Sequence, residues 1–158
     1  MSKTINCAEA IDRMHKYIAW GMLICGITYF IVAAEQVFEQ QPFNDYLDVA
    51  RAIGVFLTVL VVFLGMWPVI RLKFAGKFMI KKEPESFMTE AMHASFKNSW
   101  LATMLFVVVL LSIQNKLDDL AFEISFYLIV LFGFMASSAA LSFLYLTRND
   151  GLDDLEEV

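Results

Sequence analysis

The chain has 158 residues, 59% of them hydrophobic and 15% aromatic, with a formal net charge of −5. Soluble domains average about 45–50% apolar residues, so the excess points to lipid as the solvent and leaves no length for a second globular domain. Two cysteines and no basic module with a readable fold argue against a disulfide-stapled secreted domain and against nucleic-acid binding.

The opening segment, MSKTINCAEAIDRMH, carries Glu9 and Asp12 and has no apolar stretch beside the start. No small-residue cleavage site follows the first apolar run, so that run is expected to be a retained span and not a signal peptide. Four runs follow in order: residues 17–34, 52–70, 96–113 and 124–146. Each approaches the about 20 residues that a helix needs to cross about 30 Å of hydrocarbon. Without water every backbone N–H and C=O must be satisfied inside the segment, which selects helices. None of the runs shows the polar stripe that a soluble helix presents to water. The fold class read from this pattern is all-α integral membrane, with four transmembrane helices arranged as two hairpins in a single domain.

Orientation comes from the cations. Ten of the twelve Lys and Arg residues lie before the first run, in the connector 71–95 and its continuation to Lys97, or after the fourth run. Only Arg51 and Lys116 fall in the other two loops, which are acidic: Glu35, Glu39, Asp45 and Asp48 in one, Asp118, Asp119 and Glu123 in the other. The positive-inside rule then places both termini and the connector in the cytoplasm. Trp20, Trp67 and Trp100 fall near that same interface, where an indole buries its ring and wets its N–H. The expected location is a bacterial inner (plasma) membrane.

Within the connector, Arg71, Lys73, Lys77, Lys81 and Lys82 are mixed with Phe74, Phe78, Met79 and Ile80, as in a segment that contacts anionic headgroups. Each such cation contributes about 1 kcal/mol near the surface. The sequence Glu83-Pro84-Glu85-Ser86 reads as a helix start. Phe87, Met88, Ala91, Met92, Ser95 and Phe96 then follow helical spacing, which predicts an amphipathic cytoplasmic helix leading into the third span. The tail 149–158 carries five acids and is expected to be solvated or docked on the basic connector. Met14-His15 and Met92-His93, with Glu9-Ala10 and Glu90-Ala91 upstream and Trp20 and Trp100 downstream, suggest a 2+2 duplication.

Chemistry-bearing residues are few. No ionisable side chain lies well inside a run, which argues against coupled ion transport, and no nucleophile–base or metalloprotease motif occurs. The only histidines, His15 and His93, precede the first and third runs at one predicted level, with Met14, Met22 and Met92 as soft donors nearby. On the first helix His15, Ala19, Met22 and Gly26 share a face with room for a flat group, so b-type haem or quinone held by His15 and His93 is one reading. The leading reading has no cofactor. It rests on small residues at helical spacing, namely Gly133, Ala136, Ser137 and Ala140 on the fourth run and Gly21, Cys25 and Thr28 on the first. Such faces let helices approach closely in lipid, within a monomer or between copies. The chain is thus expected to be a non-enzymatic membrane protein acting as a homo-oligomer or as the membrane subunit of a larger assembly, a passive pore or effector being one form of it.

Overall fold

The computed structural model describes residues 7–38, 43–74, 86–113 and 122–148. They form four helices: α1 (Cys7–Val37), α2 (Phe43–Phe74), α3 (Phe87–Ser112) and α4 (Ile124–Leu146). All four are long and apolar enough to cross a membrane. Residues 75–85 of connector 71–95 and all of tail 149–158 lie outside the described residues, Lys77, Lys81 and Lys82 among them.

Three helices are longer than the apolar runs that announce them. At about 1.5 Å per residue, α1 and α2 exceed the hydrocarbon thickness by about half again, so their ends reach the headgroup layers. The added turns of α1 hold good helix formers, and Ala10, Ile11 and His15 there are buried against neighbouring helices. Helix α2 runs through Pro68 and keeps Arg71 and Lys73 in its last turn, where cations meet the negative end of the dipole. Helix α3 continues without a break from the connector into the third apolar run. Its N-cap is Ser86, whose hydroxyl accepts from the Thr89 N–H at 3.2 Å; Glu83, Pro84 and Glu85 of the expected helix start lie outside the described residues.

The helices line up in the order α2, α1, α4, α3. Helix α1 packs along α2 on one side and α4 on the other, and α4 carries α3. Helix α2 touches neither α3 nor α4 among the described residues. A two-fold axis relating the hairpins would pair α2 with α3 as it pairs α1 with α4, and the fold does not do so. Helices α1 and α3 meet at the connector end, where the Ser86 hydroxyl donates to Asp12 Oδ1 at 2.8 Å. A buried apolar cluster among the described residues is formed by Ala19, Ala91, Met92 and Phe143.

Burial follows this order. Of the most apolar stretch of each helix, 28% is buried in α1 but 11% in α2. Lipid tails are as apolar as leucine, so association in the membrane relies on close packing and interhelical hydrogen bonds. Both are visible on α4. Ser99 of α3 donates to the Met135 carbonyl at 2.8 Å and lies 2.8 Å from the Ser138 hydroxyl, while Asn98 donates to Ser142 at 3.1 Å. Phe106 stacks on Phe134.

Candidate functional site

The α1–α2 hairpin is built on notches. A side chain at Gly21 would meet Val62, one at Gly65 would meet Tyr17, and one at Gly54 would meet Thr28. Tyr17, Gly21 and Thr28 face in one direction on α1, and Gly54, Val62 and Gly65 face back at them in antiparallel register. Thr58, one turn on from Gly54, shares the α2 face.

Along one side of this crossing lies a groove of about 320 Å³. Cys25, Thr28, Tyr29 and Val32 line it from α1, and Arg51, Val55, Thr58 and Val59 line it from α2. Two of its three hydroxyl-bearing residues are committed inside their own helices, Tyr29 being the third: Thr28 donates to the Ile24 carbonyl at 2.8 Å and Thr58 to the Gly54 carbonyl at 2.9 Å. The wall is largely apolar, with the Tyr29 phenol and the Cys25 thiol as its neutral polar groups. The size lies at the lower end of ligand pockets, which run about 300–1,000 Å³.

The exception is Arg51, at the end of the groove nearest the α1–α2 loop. Its Nη1 donates to Glu35 Oε2 at 2.7 Å and its Nη2 to Asp48 Oδ1. The Glu35 side chain is 13% exposed and that of Arg51 44%. The second Glu35 oxygen, Oε1, is shut off from solvent and accepts no hydrogen bond among the described residues. Two carboxylates facing one guanidinium leave the cluster with a net negative charge. Sequence reading treats Glu35, Asp48 and Arg51 as separate loop charges. Only the hairpin register, which brings the last turns of α1 opposite the first turns of α2, joins them.

The histidines occupy different surroundings: His15 is buried on α1, while His93 is on the exposed side of α3 with Phe96 and Lys97. From α3 it is Met92, not His93, that enters the interior beside Ala19. The face that suggests room for a flat group is occupied by α4. Ala19 packs against Phe143, and a Cβ at Gly26 would lie 2.2 Å from Ser137 Oγ and 2.9 Å from the Gly133 carbonyl oxygen. Among the described residues no three His, Cys, Asp or Glu side chains gather as a metal site would require.

The small residues of α4 are engaged inside the chain. Gly133 faces Gly26, Tyr29 and Phe30, Ser137 faces Gly26, and Ala139, Ala140 and Phe143 are buried. Gly21 is the notch for Val62, Cys25 lines the groove, and Ala136 is half-buried. Comparison with protein families, with curated proteins and with solved structures returned no match.

Proposed function

We propose that this chain is a non-catalytic four-span protein of a bacterial inner membrane, with both termini and the basic connector in the cytoplasm, that works by self-association. The observation that supports it is the isolation of α2. Among the described residues this helix is held by α1 alone, and the face pointing away from α1 carries Phe56, Leu60, Phe63 and Trp67, all exposed. The small-residue faces of α1 and α4 are used within the monomer, so assembly is assigned to the outer face of α2 and not to them. A second copy is the occupant favoured by charge. The same chain carries a basic connector (Arg71, Lys73, Lys77, Lys81 and Lys82) and an acidic tail (Asp150, Asp153, Asp154, Glu156 and Glu157) on the same predicted side. In a dimer, the tail of one copy can neutralise the connector of the other while the connector also contacts anionic headgroups.

Two measurements test this reading. Native mass spectrometry of the protein released from membranes should give two or more times the chain mass. A monomer, or a complex with a different subunit, would contradict self-association. For topology, Asp45→Cys and Lys77→Cys are placed separately in a background lacking Cys7 and Cys25. Asp45→Cys should react with a membrane-impermeant thiol reagent from the outside and Lys77→Cys only from the cytoplasm. The reverse pattern would invert the orientation.

A further inference from the structure

We propose that the connector end of the α1–α2 hairpin binds one anionic phospholipid, held by Arg13, Lys16 and Trp20 of α1 together with Arg71 of α2. This rests on the four-span reading above. It does not rest on orientation or self-association, since headgroup selectivity in detergent depends on neither.

Arg13, Lys16 and Trp20 follow one another at three and four residues, so they share one face of α1, and all three are exposed. The helical turn puts this face opposite the groove-lining Cys25, Tyr29 and Val32. Tyr17 meets Gly65 and Gly21 meets Val62. That register brings Arg71, exposed in the last turn of α2, level with the α1 turn that holds Arg13, on the side of α2 away from Val55 and Val59. Lys16 and Arg71 border the apolar runs 17–34 and 52–70, so these charges stand in the headgroup layer with Trp20 just inside it. Ile27, two turns beyond Trp20 on the same face, is exposed and continues the face as an apolar track for an acyl chain.

The two ends of the hairpin treat their cations differently. At the loop end Arg51 is bound by Glu35 and Asp48. At the connector end Arg13, Lys16 and Arg71 make no ion pair among the described residues. Glu9, one turn further out on the Arg13 face, is exposed and makes none there either. Arg13 is nevertheless held in place. Its Nη2 donates to the Tyr17 hydroxyl at 3.3 Å and its guanidinium carbon lies 5.4 Å from the centroid of the Tyr17 ring, while Tyr17 itself fills the Gly65 notch. Only one of the five N–H donors of a guanidinium is used in this way, so the others are free to grip a phosphate. Lys16 adds a second cation one turn along. A zwitterionic lipid brings its own ammonium to these cations and is repelled by them, whereas an anionic lipid brings phosphate alone. The Trp20 indole N–H offers a donor to the glycerol oxygens.

The test uses the full-length protein in mild detergent, incubated with equimolar phosphatidylglycerol, phosphatidylethanolamine and phosphatidylcholine of identical acyl chains, and read by native mass spectrometry. Each cation near an anionic headgroup is worth about fivefold in binding, so the wild type should retain phosphatidylglycerol over phosphatidylcholine by at least about 25-fold. Arg13→Gln combined with Lys16→Gln should lower that ratio by about 25-fold. Lys97→Gln combined with Arg148→Gln removes the same charge from exposed positions on α3 and after α4 and should leave the ratio unchanged. If the Arg13 and Lys16 double variant loses helix content by circular dichroism, Lys16→Gln alone takes its place, with a drop of about fivefold. Equal retention of the three lipids by the wild type, a ratio that survives loss of Arg13 and Lys16, or an equal drop in both double variants would overturn the site. A chain that stays dispersed without detergent would instead refute the four-span reading itself.

Discussion

Gly26→Ala probes the contact that joins the two hairpins. The new methyl would sit 2.2 Å from Ser137 Oγ, 2.9 Å from the Gly133 carbonyl oxygen and 2.9 Å from the Ser137 nitrogen. The hydroxyl can rotate away, but the two backbone atoms cannot, so α1 and α4 must separate. Overpacking of this kind costs about 1–3 kcal/mol, against which alanine gains about 1 kcal/mol of helix propensity over glycine. The net loss is about 1 kcal/mol, which for a chain of this size lowers Tm by about 2–4 °C. Gly133→Ala is the control on the facing helix. Its methyl would find Gly26 O and Tyr29 Cβ at 3.2 Å and Phe30 Cδ1 at 3.3 Å, tight contacts that small adjustments can absorb. Thermal unfolding in detergent, followed by far-UV circular dichroism, should place Gly26→Ala below wild type and Gly133→Ala close to it. A Gly26→Ala protein as stable as Gly133→Ala, or more stable than wild type, would refute the close approach of α1 and α4.

Three further substitutions bear on separate parts of the fold. Ala140→Leu, at a fully buried position on α4, should lower stability by about 1–3 kcal/mol, and Val130→Leu on the half-buried part of the same helix by less, in the same melting assay. Arg51→Ala leaves the mostly buried Glu35 carboxylate without its cation. It should cost about 1–3 kcal/mol, while Arg51→Ala combined with Glu35→Ala should cost less than the first change alone, as a double-mutant cycle can measure. Ser86→Ala removes both the α3 N-cap and the hydroxyl that reaches Asp12. A loss of about 1 kcal/mol should appear as faster amide exchange over the first turn of α3, with α4 unaffected.

The sequence carries the helices but only part of their arrangement. Hydropathy marks residues 124–146 to the residue, because α4 has no polar extension. It stops short on α1, where Glu9, Asp12, Arg13 and Lys16 interrupt the apolar run while the helix continues through them. The α4 face of Gly133, Ser137 and Ala140 is legible because its small residues recur on one side. Its partner is not legible, because Gly26 looks the same in sequence whether it meets α4 or a cofactor. Gly54 and Gly65 lie three turns apart on one face of α2, and that spacing is the signal that would have located the α1 contact. Glu35 and Arg51 escape sequence reading for a different reason: sixteen residues separate them, and no local pattern reports a pairing created by hairpin register.

In the proposed self-associated form the outward face of α2 meets a second copy in the membrane. Single cysteines at Phe56, Leu60, Phe63, Trp67, Thr58 and Val62, each in a chain lacking Cys7 and Cys25, can be oxidised in native membranes and scored as dimer by non-reducing electrophoresis. Dimers are expected from Phe56→Cys, Leu60→Cys, Phe63→Cys or Trp67→Cys, recurring with helical period, and none from Thr58→Cys or Val62→Cys, which face α1. No dimer at any of the first four positions, or equal dimer at all six, would contradict it.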